Sequence, residues 1–355
     1  MLKLLEFFNK KRVFITGHTG FKGSWLTLIL SDFGAVVKGY ALMPNHSNDN
    51  YNILNLNNKI ISDINDINNE IALKNSITDF KPEIIIHLAA QALVKDSYSD
   101  PLKTFNTNII GSANLLSAVN ACDSIKSLVF ITSDKCYQNK EWIWGYREDD
   151  QLGGNDPYSA SKAAAEIIFS SYKNSFFNNR INFGMASARA GNVIGGGDWS
   201  ADRIVPDCIR AISTRQPIVL RNPNATRPWQ HVLDPILGYL ILAKNLFNCP
   251  TKYSGSWNFG PPSNQVKNVG YIANRIIKNF GSGEVKINSD VNLFHEANLL
   301  QLNCDKANQL LGWRSQWSVD EAVDNTAIWY KEVLGGASAL EVTRKQIAKY
   351  FQVIT

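Results

Sequence analysis

A short strand, a glycine turn and a helix follow one another directly near the start of this chain. Residues 11–30 read KRVFITGHTGFKGSWLTLIL and place Gly17, Gly20 and Gly23 between an apolar run and an apolar helical pattern. Glycines let the backbone turn sharply and approach a pyrophosphate, which then lies at the positive end of the helix. This order predicts the opening unit of a dinucleotide-binding fold. A plain glycine turn between a strand and a helix is the alternative.

The bulk composition narrows the class of protein. The 355 residues are 45% hydrophobic and 19% charged, which predicts one large domain or two unequal ones. The net charge of +5 comes without a long basic run, so we expect an anionic small ligand rather than nucleic acid. Five scattered cysteines show no metal-like pairing and predict reduced thiols and no bound metal.

The N-terminal segment and the lengths of the apolar runs indicate the expected cellular location of the protein. The first twelve residues, MLKLLEFFNKKR, are apolar but too short and too charged for a signal peptide. No apolar run approaches the roughly 20 residues that a membrane span needs. A soluble, cytoplasmic protein with no membrane partner is therefore expected.

Apolar strands alternate with helical segments over the first half of the chain. The buried strands at 83–88 and 127–131 belong to this alternation, which predicts a doubly wound parallel sheet of the Rossmann type, covered on both faces. We expect residues 1–189 to form the cofactor-binding domain. Residues 190–355 should form mainly a smaller C-terminal substrate-binding lobe, with segments that return to the first domain.

The second predicted strand, 36–40, lacks a feature of NAD-binding proteins. An acidic residue is expected about 20 positions after the glycines to hold the ribose hydroxyls, but residues 38–42 read KGYAL. The choice between NAD and NADP is therefore open. Asp63, in the third strand, could meet the adenine or could cap the helix that follows.

Tyr158 and Lys162 are four residues apart, so they share one face of a predicted helix. A free tyrosine has a pKa of about 10 and is a poor base, but a neighbouring ammonium lowers that pKa. Ser133 stands at the carboxyl end of a strand, where ligands bind in open α/β sheets, and could hold a substrate hydroxyl. These three residues are candidate catalytic groups, although a tyrosine–lysine pair at this spacing alone also occurs as an exposed helix pair.

Several longer strings make the resemblance specific. They are ITSDKCY (131–137), SARAGNVIGGGDW (187–199), RPWQHVLDP (227–235) and NFGP (258–261). With the glycine loop, they resemble the CDP-glucose 4,6-dehydratases, a group in the nucleotide-sugar branch of the extended short-chain dehydrogenase/reductase family. The resemblance runs from residue 11 to about residue 329. The pair Asp134-Lys135 is the form found in the CDP-sugar enzymes, where dTDP-sugar enzymes carry Asp-Glu.

The resemblance implies a CDP-sugar substrate, NAD as cofactor and a role in deoxysugar biosynthesis, including that of lipopolysaccharide O-antigen. The implied cofactor-binding residues are Gly17, His18, Thr19, Gly20, Phe21, Lys22, Gly23, Asp63, Ile64, Leu88, Ala89, Ala90, Thr107, Tyr158 and Lys162. The implied substrate-binding residues are Gln91, Asn192, Arg203, Arg221, Arg227, His231 and Glu296.

Five of the seven substrate candidates have a structural alternative. A guanidinium fork matches phosphate oxygens, so Arg203, Arg221 and Arg227 could hold a diphosphate, but each could also be a surface ion-pair residue. His231 could equally be a packed core histidine. Glu296 could bind a ribose hydroxyl or cap a helix.

The reaction that the resemblance implies is redox-neutral. Tyr158 removes the proton of the sugar C4 hydroxyl while NAD⁺ takes the C4 hydride, water leaves from C5 and C6, and the hydride returns to C6. Asp134 would act as general acid toward the leaving hydroxyl. Lys135 would act at C5, either as base or as stabiliser of the enolate.

Two other functions remain open at this point. A nucleotide-sugar 4-epimerase of the same fold needs Tyr158 and Lys162 but not the pair Asp134-Lys135. A non-catalytic, cofactor-sensing protein would typically lack the tyrosine or the lysine. A homodimer is also expected, with helices around 100–120 and 157–178 pairing as they do in the family.

Overall fold

The structure is a computed structural model that describes residues 1–288 and 299–353. Its centre is a seven-stranded sheet in the order β11-β6-β5-β4-β1-β2-β3, in which every neighbouring pair is parallel. The strands of this sheet are β1 (Arg12–Thr16), β2 (Val36–Ala41), β3 (Ile61–Ile64), β4 (Ile84–His87), β5 (Ser127–Ile131), β6 (Gly184–Ala190) and β11 (Gly255–Phe259). The predicted α/β fold class is confirmed.

Helices and short strand pairs complete the chain. The helices are α1 (Leu2–Glu6), α2 (Phe21–Asp32), α3 (Asn50–Ile53), α4 (Glu70–Phe80), α5 (Val94–Ser99), α6 (Pro101–Phe105), α7 (Gly111–Asn120), α8 (Pro157–Tyr172), α9 (Ile204–Ser213), α10 (Leu233–Asn248), α11 (Pro250–Tyr253), α12 (Val269–Phe280), α13 (Val319–Leu334) and α14 (Ala339–Phe351). The short strands are β7 (Val193–Ile194), β8 (Ile218–Leu220), β9 (Thr226–Arg227), β10 (Gln230–His231), β12 (Lys267–Asn268) and β13 (Val285–Ile287).

The sheet separates two hydrophobic cores because side chains alternate between its faces. In β1, Val13 and Ile15 join the larger core, whereas Phe14 joins the smaller one. In β4, Ile84 and Ile86 face the larger core and Ile85 the smaller one. Every residue of β4 and β5 is buried, as expected for a parallel sheet covered on both faces.

The strand order reverses between β1 and β4, which lie side by side although they are not consecutive in the chain. In open α/β sheets, ligands bind in the crevice at the carboxyl ends of the strands at such a switch point. The glycine turn follows β1, and the helix α2 begins at once behind it. The fold therefore directs the positive end of α2 toward this crevice.

Residues from the second half of the chain also reach the sheet. The strand β11 pairs with β6, with Gly255 opposite Ala186 and Phe259 opposite Ala190. The helix α10 contacts both β5 and β6. The division into domains 1–189 and 190–355, with segments that return to the first domain, stays a prediction.

The helix cap predicted for Asp63 is wrong. The helix α4 is capped by Asn69, whose side chain accepts a hydrogen bond from the Ala72 N–H at 3.1 Å. The Asp63 carboxylate instead accepts a 2.7 Å hydrogen bond from Ser76 and lies 3.8 Å from the Lys38 ammonium. It is thus held between β2 and α4, at the outer side of the sheet.

Candidate active site

A cavity of about 780 Å³ opens at the carboxyl ends of the central strands. All five candidate catalytic residues line it: Ser133, Asp134, Lys135, Tyr158 and Lys162. They come from two elements, the turn after β5 and the first turns of α8. The fold therefore brings Asp134 and Lys135, which rested on family resemblance, into one cavity with the three residues singled out by their spacing and their place at a strand end.

The helix α8 begins where the sequence places it. Asp156 caps it, since its carboxylate accepts hydrogen bonds from the Ser159 N–H at 2.9 Å and the Ser159 hydroxyl at 2.6 Å. Pro157 occupies the first turn, where a missing N–H costs nothing. Tyr158 and Lys162 then project from one face into the cavity, with the Lys162 Nζ 6.0 Å from the centroid of the Tyr158 ring.

The protonation of Tyr158 differs from the sequence expectation. Burial raises the pKa of Tyr158 to about 12, the Ser133 hydrogen bond opposes this, and the nearby Asp134 carboxylate adds to it. The predicted lowering of this pKa is therefore not found, because desolvation of the phenolate is the largest effect. Burial and the neighbouring Lys22 lower the pKa of Lys162 itself to about 8.

The surroundings of Asp134 favour its protonated form over the carboxylate. It is only 3% exposed and starts a single 3₁₀ turn, Asp134–Cys136, after β5. Burial raises its pKa, and the opposing effects of Lys135, Ser133 and Arg227 do not cancel that rise. Its Oδ1 accepts a 3.0 Å hydrogen bond from the Ser133 hydroxyl, whereas its buried Oδ2 has no hydrogen-bond partner among the described residues. Such a group can donate a proton to a ligand.

Four substrate candidates reach the same cavity: Asn192, Arg203, Arg221 and Arg227. The Arg203 guanidinium donates a 2.8 Å hydrogen bond to the buried Asp198 carboxylate. The Arg221 guanidinium lies 3.8 Å from an oxygen of Asp202. Three guanidinium groups around one cavity suit a ligand with two or more negative charges.

The remaining substrate candidates lie elsewhere. His231 is fully buried, with its ring 5.7 Å from that of Trp25 and 4.6 Å from that of Trp317, so the structure favours the packed-core alternative. The Gln91 side chain folds back on its own turn, donating to the Leu93 carbonyl at 2.8 Å and accepting from the Leu93 N–H at 3.2 Å. Glu296 lies outside the described residues.

The glycine loop has the close packing that its sequence predicts. Gly17 has a φ of 74°, and a Cβ there would lie 2.7 Å from the Ala89 backbone nitrogen. A Cβ on Gly23 would lie 2.0 Å from the Gly17 carbonyl oxygen. These contacts leave no room for a side chain, so the turn needs glycine at both positions.

The other cofactor candidates divide into two sets. Phe21, Lys22, Leu88 and Ala90 line the cavity beside Tyr158 and Lys162. The residues that do not line this cavity are Thr19, Gly20, Ile64, Ala89 and Thr107. His18 packs beneath the loop, where its Nε2 is 2.8 Å from the Ser62 hydroxyl and burial lowers its pKa to about 4.

A buried polar network behind the catalytic turn was missed in the sequence analysis. Glu166 of α8 accepts hydrogen bonds from Thr132 at 2.5 Å, from Ser187 at 2.8 Å and from the Arg189 guanidinium at 3.0 and 2.7 Å. Arg189 also donates to the Tyr137 hydroxyl at 2.7 Å. The network ties α8 to the ends of β5 and β6. Four of its members lie in the strings 131–137 and 187–199. Those strings were the sequence signal from which the network could have been suspected.

The described residues contain neither a metal-binding cluster nor a membrane-spanning helix. No group of three or more histidine, cysteine, aspartate or glutamate side chains in residues 1–288 and 299–353 could hold a metal ion. None of the helices in those ranges is long and apolar enough to cross a membrane.

Known proteins resemble this chain over most of its length. A family model described as GDP-mannose 4,6 dehydratase matches residues 14–326. A CDP-glucose 4,6-dehydratase of Salmonella typhimurium is 45% identical over 354 residues, which cover 99% of each chain. A dTDP-D-glucose 4,6-dehydratase of Dictyostelium discoideum is 27% identical over 266 residues, covering 68% of this chain and 59% of that protein.

Solved structures share the fold. A dTDP-glucose 4,6-dehydratase of Streptomyces venezuelae superposes with a TM-score of 0.77 at 20% identity, covering 93% of this chain and 99% of that one. A UDP-glucose 4-epimerase of Thermotoga maritima also has a TM-score of 0.77 at 20% identity, covering 91% of this chain and 99% of that one. Because dehydratases and epimerases match equally well, these likenesses establish the fold alone. The family match and the full-length relative go further: this chain belongs to the GDP-mannose 4,6 dehydratase family, within the nucleotide-sugar branch of the extended short-chain dehydrogenases/reductases.

Proposed function

We propose that this chain is a CDP-glucose 4,6-dehydratase, a lyase that converts CDP-D-glucose to CDP-4-dehydro-6-deoxy-D-glucose. The observation that carries the proposal is the buried carboxyl of Asp134, held in the same cavity as Tyr158 and Lys162. A 4,6-elimination needs such an acid, whereas epimerisation at C4 does not. The 45% identity with the Salmonella typhimurium enzyme over the whole chain supports the same assignment.

The residues present fit a bound NAD. The loop that holds Gly17 and Gly23 leaves a bare backbone at the start of α2, and Lys22 lies in the cavity wall beside it. Leu88 and Ala90 continue that wall toward Tyr158. When bound there, NAD would supply the hydride acceptor for oxidation at C4 and the hydride donor for reduction at C6.

Tyr158 is the proposed base for the C4 hydroxyl. Its hydrogen bond to Ser133 leaves the pair in position to share one substrate hydroxyl between them. Because burial holds the phenol protonated in the free protein, the positive charge of bound NAD and the ammonium of Lys162 must favour the phenolate during the reaction. Lys162 would also hydrogen-bond the ribose of the nicotinamide nucleoside.

Asp134 and Lys135 are the proposed groups for loss of water. Burial raises the pKa of Asp134 and so favours its protonated form, whose Oδ2 would donate to the leaving C6 hydroxyl. Lys135 lines the cavity beside it and would act on the proton at C5 or stabilise the enolate. Arg203, Arg221 and Arg227 would hold the diphosphate, and Asn192 the diphosphate or sugar.

The test is incubation of the purified protein with CDP-, dTDP-, UDP- and GDP-glucose, followed by detection of 4-keto product. The proposal expects 4-keto-6-deoxy product from CDP-glucose. A C4 epimer without loss of water would identify the 4-epimerase alternative, and binding without any turnover would identify the cofactor-sensing alternative. Restoring activity to stripped protein with NAD⁺ or NADP⁺ decides the cofactor, and NAD⁺ is expected to be the better one.

The assembly and setting belong to the same proposal. Large apolar side chains on the predicted dimer helices are exposed, namely Leu102 (73%), Ile110 (52%) and Ile167 (58%), which supports a homodimer. Sedimentation at micromolar concentration tests it, since a monomer there would contradict it. The five free cysteines suit a cytoplasmic enzyme of deoxysugar and O-antigen biosynthesis.

A further inference from the structure

The helix α9 forms one wall of the cavity and leads away from the reacting groups. Arg203, immediately before the helix, is close enough to Tyr158 for the two charges to interact. Asp207 and Ala211 follow at intervals of four residues on the same face and line the cavity as well. At 1.5 Å of rise per residue, they lie about 6 and 12 Å farther along the helix than Arg203.

The strand β8, which contacts α9, and its flanking residues form a neighbouring part of the cavity wall. Pro217, Val219, Leu220 and Asn222 line the cavity there. A nucleotide sugar with its hexose at Tyr158 and its diphosphate near the arginines extends its base in this direction. This direction would bring the base to the part of the cavity lined by α9 and β8, where Asp207 is an ionisable group.

The carboxylate of Asp207 is held in a defined orientation. Arg210, one turn later in α9, pairs with its Oδ1. The same guanidinium donates to the Trp199 carbonyl at 2.9 Å and the Ser200 carbonyl at 3.3 Å, so it is itself anchored. Burial raises the pKa of Asp207, and Arg210 opposes that rise. The Asp207 side chain remains 41% exposed, toward the cavity that it lines.

Cytosine differs from uracil and thymine in the group at C4, and a carboxylate can distinguish these groups by hydrogen bonding. Cytosine carries an amino group at C4, which donates hydrogen bonds, whereas uracil and thymine carry a carbonyl oxygen, which only accepts them. A carboxylate is the usual protein partner of the cytosine amino group. Facing uracil or thymine, the same carboxylate would meet a second acceptor and both groups would lose their hydrogen bonds with water.

We propose that Asp207 is the residue that selects cytosine over uracil and thymine, by accepting a hydrogen bond from the N4 amino group of the bound nucleotide. The inference rests on the proposed function, because it takes a nucleotide sugar as the ligand of the cavity. It goes beyond that function in naming the side chain that reads the base. Asp207 acts on specificity and takes no part in the chemical steps at the sugar.

The experiment compares the binding of CDP and UDP to the full-length wild-type protein and to Asp207→Asn by titration calorimetry. Asparagine keeps the shape of the side chain but can offer an amide N–H to the uracil O4. The wild type should prefer CDP, and the variant should lose about 10- to 100-fold of that preference, chiefly through tighter UDP and weaker CDP binding. The ratio of kcat/KM for CDP-glucose and UDP-glucose should move in the same direction.

Asp202→Asn is the matched control. Asp202 also lines the cavity and carries the same charge, but it precedes α9 and is paired with Lys95 at 3.2 Å and Arg221 at 3.8 Å. Any effect through Arg221 on the diphosphate is common to CDP and UDP. Replacement of Asp202 should leave the CDP-to-UDP ratio unchanged. A general loss of electrostatic fit would move both variants alike and would overturn the proposal.

Two further results would overturn it. One is a wild type that binds CDP and UDP equally, and the other is a folded Asp207→Asn that keeps the wild-type preference. If Asp207→Asn does not fold, as judged by its thermal melting, Asp207→Ser supplies the same comparison. Failure of the proposed function is a separate result, namely no 4-keto product from any nucleotide sugar, and the binding ratio remains informative in that case.

Discussion

Replacing Glu166 by glutamine removes the negative charge at the centre of the buried network behind the turn that follows β5. Glu166 lies one helical turn after Lys162 in α8, and its carboxylate accepts four hydrogen bonds of 2.5 to 3.0 Å. The side chains of Glu166 and Arg189 are only 2% and 3% exposed. Water therefore cannot replace the lost interactions.

The cost follows from what the glutamine cannot do. One carboxylate oxygen becomes an NH₂ group, which donates and so must face a donor from Thr132, Ser187 or Arg189. The Arg189 guanidinium also keeps its positive charge in the core without a counter-ion. Removing one partner of a buried ion pair typically costs about 3–5 kcal/mol. That is a large share of the roughly 5–15 kcal/mol by which folded domains are stable.

The assay is urea unfolding followed by circular dichroism, with the free energy of unfolding compared between variants. The control is Asp123→Asn, which breaks the surface pair of Asp123 with Arg180, where the distance is 3.5 Å and Asp123 is fully exposed. We expect no measurable change for the control. If Glu166→Gln has the same unfolding midpoint and slope as the control, the network does not stabilise the fold as argued.

Three further predictions concern individual groups. Tyr158→Phe should abolish both hydride transfer and product, because no group then takes the C4 proton; retained NADH formation on adding CDP-glucose would contradict this. Asp134→Asn should still form NADH in a single turnover but release product about 10²–10⁴-fold more slowly, since it lacks the acid for water loss. No NADH in a folded Asp134→Asn that still binds NAD would mean that Asp134 serves oxidation instead. Burial raises the pKa of Asp234 to about 6, despite hydrogen bonds from Tyr350 and the Gln316 backbone. The folded protein thus binds this proton more tightly than the unfolded chain, so the group's stabilising contribution is full below about pH 4 and lost as pH rises through about 6. Asp234→Asn should remove this dependence, so the unfolding free energy of the variant minus that of the wild type should rise between pH 4 and 7. A constant difference would refute the assignment.

Local features of this protein could be predicted because their cause lies within a few residues. The turn at Gly17 requires a positive φ, and that requirement is visible in the sequence as a glycine between a strand and a helix. The spacing of Tyr158 and Lys162 puts them on one helical face whatever surrounds the helix. The parallel sheet was predictable for a similar reason, since apolar strands that alternate with helices have few other ways to bury both faces.

Properties that depend on distant residues needed the tertiary structure. The sequence contains Tyr158 and Lys162 but not the burial that raises the pKa of Tyr158 and lowers that of Lys162. The partner of Arg189 is 23 residues away in the chain, on another element. Nor does the sequence distinguish His231, which packs between two tryptophans, from Arg227, four residues earlier, which faces the cavity. Desolvation and contact are set by the whole surrounding fold. The candidate residues could therefore be predicted from the sequence, whereas their protonation and their partners were decided only by the tertiary structure.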